Sequence, residues 1–158
     1  MKSPTVIRAL VLAAGVASSW AAVADAPAAA TKKPEVEYYS SNSTLPFSPA
    51  VRVGNTLYLS GQIGALPGAK TMTLAPGGIT GEARQALQNI RTLLGQHGSS
   101  MDQIVKCTVF LADIKDWPAF NEVYKEFFKS HYPARSALAA SGLAYNARAE
   151  VECIAVIP

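Results

Sequence analysis

Three observations in the sequence predict an α+β fold, with two helices on one face of a mixed six-stranded sheet. Short β-rich runs alternate with helical repeats in the order strand, strand, strand, helix, strand, helix, strand, strand. Two turn residues, Gly54-Asn55, separate the runs Ala50–Val53 and Thr56–Ser60, which is the signature of a tight hairpin. Two stretches carry apolar residues at helical spacing, and both are long enough to cover one side of a sheet.

Taken in order, Val36–Tyr39 is a candidate edge strand, and the hairpin 50–60 follows it. Residues 61–78 are rich in Gly and Pro and read as a loop. From Ile79 to Gly98, Ala83, Ala86, Leu87, Ile90, Leu93 and Leu94 recur at steps of one, three and four, which builds one apolar helix face. Thr80 is the predicted N-cap, Glu82 suits the positive end of the helix dipole, and Gly98 suits the C-terminus. Ile104–Leu111 reads as a strand. Asp116 is placed to cap the second helix, with Pro118 tolerated in its first turn. Trp117, Phe120, Tyr124, Phe127 and Phe128 form an aromatic stripe, which at that spacing predicts core. The last two strands are predicted near 134–140 and 148–157. The sheet face opposite the helices has no cover within the chain, and an apolar face of that kind calls for another subunit.

The 158 residues are 49% apolar and only 16% charged, a composition that folds rather than stays disordered. The N-terminal residues are a different material. Lys2 and Arg8 precede an apolar run, Ala9–Ala24, of about sixteen residues, shorter than a bilayer span. It ends in small residues, with a cleavage position after Ala24. Residues 1–24 therefore read as a secretory signal peptide, 25–34 as a disordered lead-in and 35–158 as the folded domain, secreted or periplasmic. Removal of the signal takes the net charge from +3 to +1, which is not the footprint of a nucleic-acid binder. Two cysteines exclude a disulfide framework and a four-thiolate zinc site. Cys107 and Cys153 sit in apolar strands and read as buried free thiols, although export would permit a disulfide if they faced each other. His97 and His131 have no metal-ligand spacing, and neither is expected to be a ligand. The marker segments of P-loop, Rossmann and Ser-His-Asp enzymes are missing.

The last strand draws the eye to chemistry. Alternation in 149–156 (AEVECIAV) puts Glu150 and Glu152 on one face with Ile154 and Val156. Glu152 reads as solvated. A partly buried Glu150 would need a cationic or hydrogen-bonding partner, and Arg135, whose forked donors match a carboxylate, is the leading candidate.

Ser60-Gly61-Gln62, the segment 121–128 (NEVYKEFF), Pro133-Ala134-Arg135-Ser136 and 150–155 (EVECIA) occur in that order, and together they resemble the Rid family (YjgF type, also labelled endoribonuclease L-PSP) over roughly Leu45–Ile157. The resemblance implies a chorismate-mutase-like fold, a homotrimer with clefts between subunits, and hydrolysis of 2-imino acids such as 2-iminopropanoate and 2-iminobutanoate to 2-keto acids and ammonia without a cofactor. It assigns Arg135 to the substrate carboxylate and Glu150 to activation of water, and it places Ser60, Gly61 and Asn121 along the same cleft. Two positions depart from the family archetype. Phe47 stands where a Tyr is found and can form an apolar wall without the hydroxyl. Ala137 stands where a Cys is common and keeps only the backbone carbonyl. Residues 138–147 also lack the charges and proline of the archetypal loop. The same fold could serve as a non-catalytic binder of 2-keto acid-like molecules. A ribonuclease reading finds no histidine pair and no basic-aromatic groove to support it.

Overall fold

The computed structural model describes residues 33–40 and 45–158. The signal segment 1–24 and all but the last two residues of the 25–34 lead-in lie outside the described residues. The elements are β1 (Val36–Tyr38), β2 (Ala50–Val53), β3 (Thr56–Leu59), β4 (Gln62–Ile63), α1 (Gly78–Gln96), β5 (Ile104–Leu111), α2 (Trp117–Phe127), β6 (Ala134–Ala139) and β7 (Ala149–Val156). One sheet runs in the order β1-β2-β3-β7-β5-β6, with β4 pairing β7 beyond the end of β3. Only β5–β6 is parallel, so the sheet is mixed, as the sequence predicts.

The hairpin turns on Gly54 at φ +60, the conformation a type II′ turn demands of its first central residue. Every apolar position predicted for the α1 face is buried. Together with Phe120, Val123, Tyr124 and Phe128 from the second helical segment, these residues cover Ala149, Val151, Cys153 and Ala155 of β7, all at most 2% exposed. The other face of β7 is less protected: Glu150, Ile154 and Val156 are half-buried, and Glu152 is exposed. Tyr58, opposite Ile154, is 46% exposed. The two-layer arrangement with one open sheet face is therefore the one the sequence implies.

Four local readings are corrected. The 61–78 segment is not all loop: Gln62 and Ile63 form β4 against Val151 and Glu150, giving seven strands rather than six. Two residues cannot show a period, so only their partner strand reveals them. Thr80 is not the N-cap of α1; Gly77 holds that position at φ +98. Glu82 does not serve the helix dipole. It is 6% exposed and accepts a hydrogen bond from the Arg148 backbone N–H at 2.7 Å. Asp116 does occupy the N-cap position of α2, but its carboxylate caps nothing and instead takes the Arg148 guanidinium.

The cysteines are buried but not free. Cys107 of β5 lies directly opposite Cys153 of β7, with Cα atoms 4.1 Å apart, and the two form a disulfide. Antiparallel register decides this, and register between strands 46 residues apart is not legible in either strand alone. His97, at the C-cap of α1, stacks on Tyr39 with ring centroids 3.8 Å apart. Burial lowers its pKa from 6.5, and Glu37 opposes that shift.

Candidate active site

Two clusters gather the residues singled out in the sequence. The first is built on α2 and the edge strand β6. Asn121 and Tyr124 are three residues apart on α2, which places them on one helix face. That face meets Arg135, the second residue of β6. Arg135 Nη2 donates to Asn121 Oδ1 at 2.8 Å, and the guanidinium carbon lies 4.5 Å from the centre of the Tyr124 ring. A planar cation over an aromatic face is held in orientation as well as position. Burial pushes the Tyr124 hydroxyl up to about 12, against the pull of Arg135, so the ring under the guanidinium stays neutral. Among the described residues that hydroxyl is buried without a hydrogen-bond partner. Asn121, Tyr124, Tyr132, Pro133 and Arg135 line a cavity of about 280 Å³. No carboxylate among the described residues is within ion-pair distance of Arg135.

The second cluster surrounds Glu150. Ile63 of β4 stands opposite Glu150 in register, so the Ser60-Gly61 segment passes directly beside its side chain. A Cβ on Gly61 would overlap the Glu150 carboxylate and lie 2.8 Å from its Cδ, so only glycine permits this approach. Ser60 Oγ donates to the Ser48 carbonyl at 2.6 Å, and the Ser60 N–H donates to the Pro49 carbonyl at 3.0 Å. These bonds pin the chain next to Phe47, whose ring is 54% exposed.

Within one chain the two clusters do not meet. Arg135 pairs in register with Cys107, and Glu150 pairs with Phe110. Cys107 and Phe110 are three residues apart on β5, so their side chains point to opposite faces of the sheet. Arg135 is therefore on the helix-covered side and Glu150 on the open side. The direct Arg135–Glu150 pair suggested by the sequence does not form within the chain; Arg135 is held by Asn121 and Tyr124 instead. Ala137 shares the face of Arg135, two residues along the edge strand. Tyr124 is the cluster residue that the sequence reading places only in the aromatic stripe. The signal available for it was its helical spacing from Asn121.

The family model described as endoribonuclease L-PSP matches residues 39–157. The chain belongs to this family, the Rid family. Relatives include a protein of Dermatophagoides farinae named 2-iminobutanoate/2-iminopropanoate deaminase, 46% identical over 71% of this chain and 86% of that protein. A human protein of the same name is 44% identical over 70% of this chain and 80% of its own length. Among solved structures, the YyfA protein of Yersinia pestis, described as a Rid family member of unknown function, superposes with a TM-score of 0.72 at 34% identity. That match covers 78% of this chain and all of the Yersinia chain. The Rid fold is thus the fold of this chain, and the departures at Phe47 and Ala137 lie on a family framework.

Proposed function

We propose that this chain is an exported 2-imino acid deaminase that hydrolyses 2-iminopropanoate- and 2-iminobutanoate-like substrates to 2-keto acids and ammonia. The observation that carries the reading is the Arg135 guanidinium, pre-oriented by Asn121 and Tyr124 at a small cavity, with no ion-paired acid among the described residues. That is a receptor for a planar carboxylate. The names of the relatives supply the reaction class.

The chemistry fits the groups present. A protonated 2-imino acid is already electrophilic at the imine carbon. Arg135 fixes its carboxylate, which sets the carbon's position. Glu150 takes a proton from water as the water oxygen bonds to that carbon. That proton then goes to the nitrogen; the new hydroxyl returns its own proton to Glu150 as the C=O forms and the C–N bond breaks, and the 2-keto acid leaves with ammonia, which carries this last proton away as ammonium. One base of this kind contributes about 10² to 10⁴ in rate, enough for a compound that hydrolyses readily unaided.

Because Arg135 and Glu150 face opposite sides of one sheet, the proposal includes assembly. The open, partly apolar sheet face packs against another copy, and Arg135 of one copy works with Glu150 of a neighbour in a homotrimer. Phe47, Ser60 and Gly61 then contribute the wall on the acid's side.

The test generates 2-iminobutanoate with an amino-acid oxidase and follows its loss spectrophotometrically with the mature protein. Acceleration by the wild type, and a much weaker acceleration with a raised KM by Arg135→Ala, is the expected result. Binding of 2-oxobutanoate by calorimetry without any acceleration of imine loss would instead establish a non-catalytic binder. An Arg135→Ala protein with unchanged KM would remove the role given to that residue.

A further inference from the structure

Glu150 is only the second residue of β7, close to the strand end, where a ladder frays most easily. Yet the residue two positions earlier, Arg148, is engaged through its backbone N–H, its carbonyl and its guanidinium. Its N–H donates to Glu82 Oε2 at 2.7 Å, and its carbonyl accepts from the Ala112 N–H at 2.9 Å. Its guanidinium binds Asp116 through two atoms, Nε to Oδ2 at 3.0 Å and Nη2 to Oδ1 at 2.8 Å. Both acids are buried, at 6% and 8% exposure. Both also stand near helix starts, where an acid would ordinarily serve the helix itself.

Glu82 also packs against the chain that leaves β4, the strand paired with Glu150. A Cβ on Gly64 would come within 2.5 Å of the Glu82 Cα and 2.7 Å of its carbonyl oxygen, so the chain leaving β4 rests on α1 at Glu82. Gly64 directly follows Ile63, the register partner of Glu150. Glu82 thus holds the chain entering the acid's own strand through its carboxylate, and the chain leaving the strand paired with it through its backbone. Asp116 begins α2, the helix that presents Asn121 to Arg135 five residues later.

We propose that Glu82, Asp116 and Arg148 form a clamp that positions Glu150 for proton transfer, with Arg148 tying the acid's strand to the helix that holds Arg135. None of the three touches substrate; they are positioning residues. The inference rests on the deaminase reading above, because it assigns Glu150 the proton-transfer role. Its physical basis is that a carboxylate displaced by about 1 Å loses up to about 10²-fold in rate, while a carboxylate receptor on the other sheet face is undisturbed.

The experiment uses the full mature protein, well below its melting temperature, with 2-iminobutanoate turnover and 2-oxobutanoate binding measured side by side. Arg148→Ala and Asp116→Asn are expected to lower kcat by about 10-fold to 10²-fold. KM and the Kd for 2-oxobutanoate stay within about 2-fold, since ground-state binding is untouched. Arg148→Lys, which retains the charge and both backbone bonds, recovers part of the loss. Glu82→Gln, whose amide oxygen can accept the same N–H, stays near wild type. Arg84→Ala, which breaks the exposed pair with Glu126, is the control and leaves kcat unchanged. Amide exchange at residues 149–151 speeds up in Arg148→Ala and not in the control, a readout independent of turnover.

A folded Arg148→Ala protein with wild-type kcat overturns the proposal. So does a parallel change in kcat and Kd, which would mark a general structural role. If the wild type hydrolyses no imine, the deaminase reading fails by itself. Exchange then decides whether the clamp holds this strand: unchanged protection at 149–151 in Arg148→Ala overturns that part too.

Discussion

The two half-sites are held by different means. Arg135 is gripped by side chains, with an amide oxygen at 2.8 Å and an aromatic ring beneath the guanidinium. Glu150 is approached mainly by backbone, through the glycine that passes beside its carboxylate and the strand that opposes it. On the proposed reading, the arginine half is complete within the chain, whereas the acid half, a shaped surface on the open face, takes its second wall from another copy. Binding and proton transfer are then separable, one belonging to the chain and the other to its assembly.

The largest effect is expected from Glu150→Gln. An amide cannot take the proton, so turnover of 2-iminobutanoate falls by about 10² to 10⁴. Affinity for 2-oxobutanoate, read by calorimetry, stays with the intact arginine half. Equal losses in both measurements would break the separation.

Mixing is the next test. Arg135→Ala and Glu150→Gln proteins are each nearly inactive alone. When they are unfolded, combined in equal amounts and refolded together, about a quarter of the sites receive one intact half from each copy. Activity should return to about that fraction of the wild type. No recovery from a properly reassembled trimer would show that both groups act from one chain.

Gly61→Ala sharpens the acid half. The new Cβ meets the tip of a flexible side chain rather than fixed backbone, so the fold tolerates it while the Glu150 carboxylate is pushed aside. A fall in kcat of about 10-fold or more, with 2-oxobutanoate binding retained, is expected. Wild-type kcat in this variant would show that the position of the carboxylate beside Gly61 is irrelevant.

The smallest effect concerns stability away from both halves. His97, stacked on Tyr39, is harder to protonate in the folded state than at its ordinary 6.5, chiefly through burial. As pH falls through that ordinary value, the unfolded chain takes the proton first, so the stability contributed by neutral His97 drains away toward the lowered folded value. Melting temperature therefore drops between about pH 7.5 and about pH 5, and His97→Gln flattens part of that slope. Its kcat and KM at pH 7.5 should match the wild type, because neither half-site includes it.

Much of this was legible in the chain itself. The apolar period of residues 83–94 and the alternation of 149–156 are local signals, and both faces came out as read. The family resemblance groups Arg135, Asn121, Ser60, Gly61 and Glu150, but does not say how they divide. Which sheet face Arg135 takes depends on its register with Cys107, and nothing local to residues 134–139 sets that register. The same reason hid β4 and the disulfide. The sequence predicts caps at Thr80 and Asp116 because hydroxyl and carboxylate residues favour helix starts. At Asp116 a charged partner from a distant strand displaced that preference.

Side-chain periodicity is written residue by residue and burial follows it, so the layers can be read from the amino acids. The opposed faces of the arginine and the acid, the convergence of Glu82 and Asp116 on Arg148 and the joining of two cysteines arise in the fold. Each of these depends on the relative placement of segments far apart in the chain, which is fixed by packing between elements rather than by the residues within any one of them.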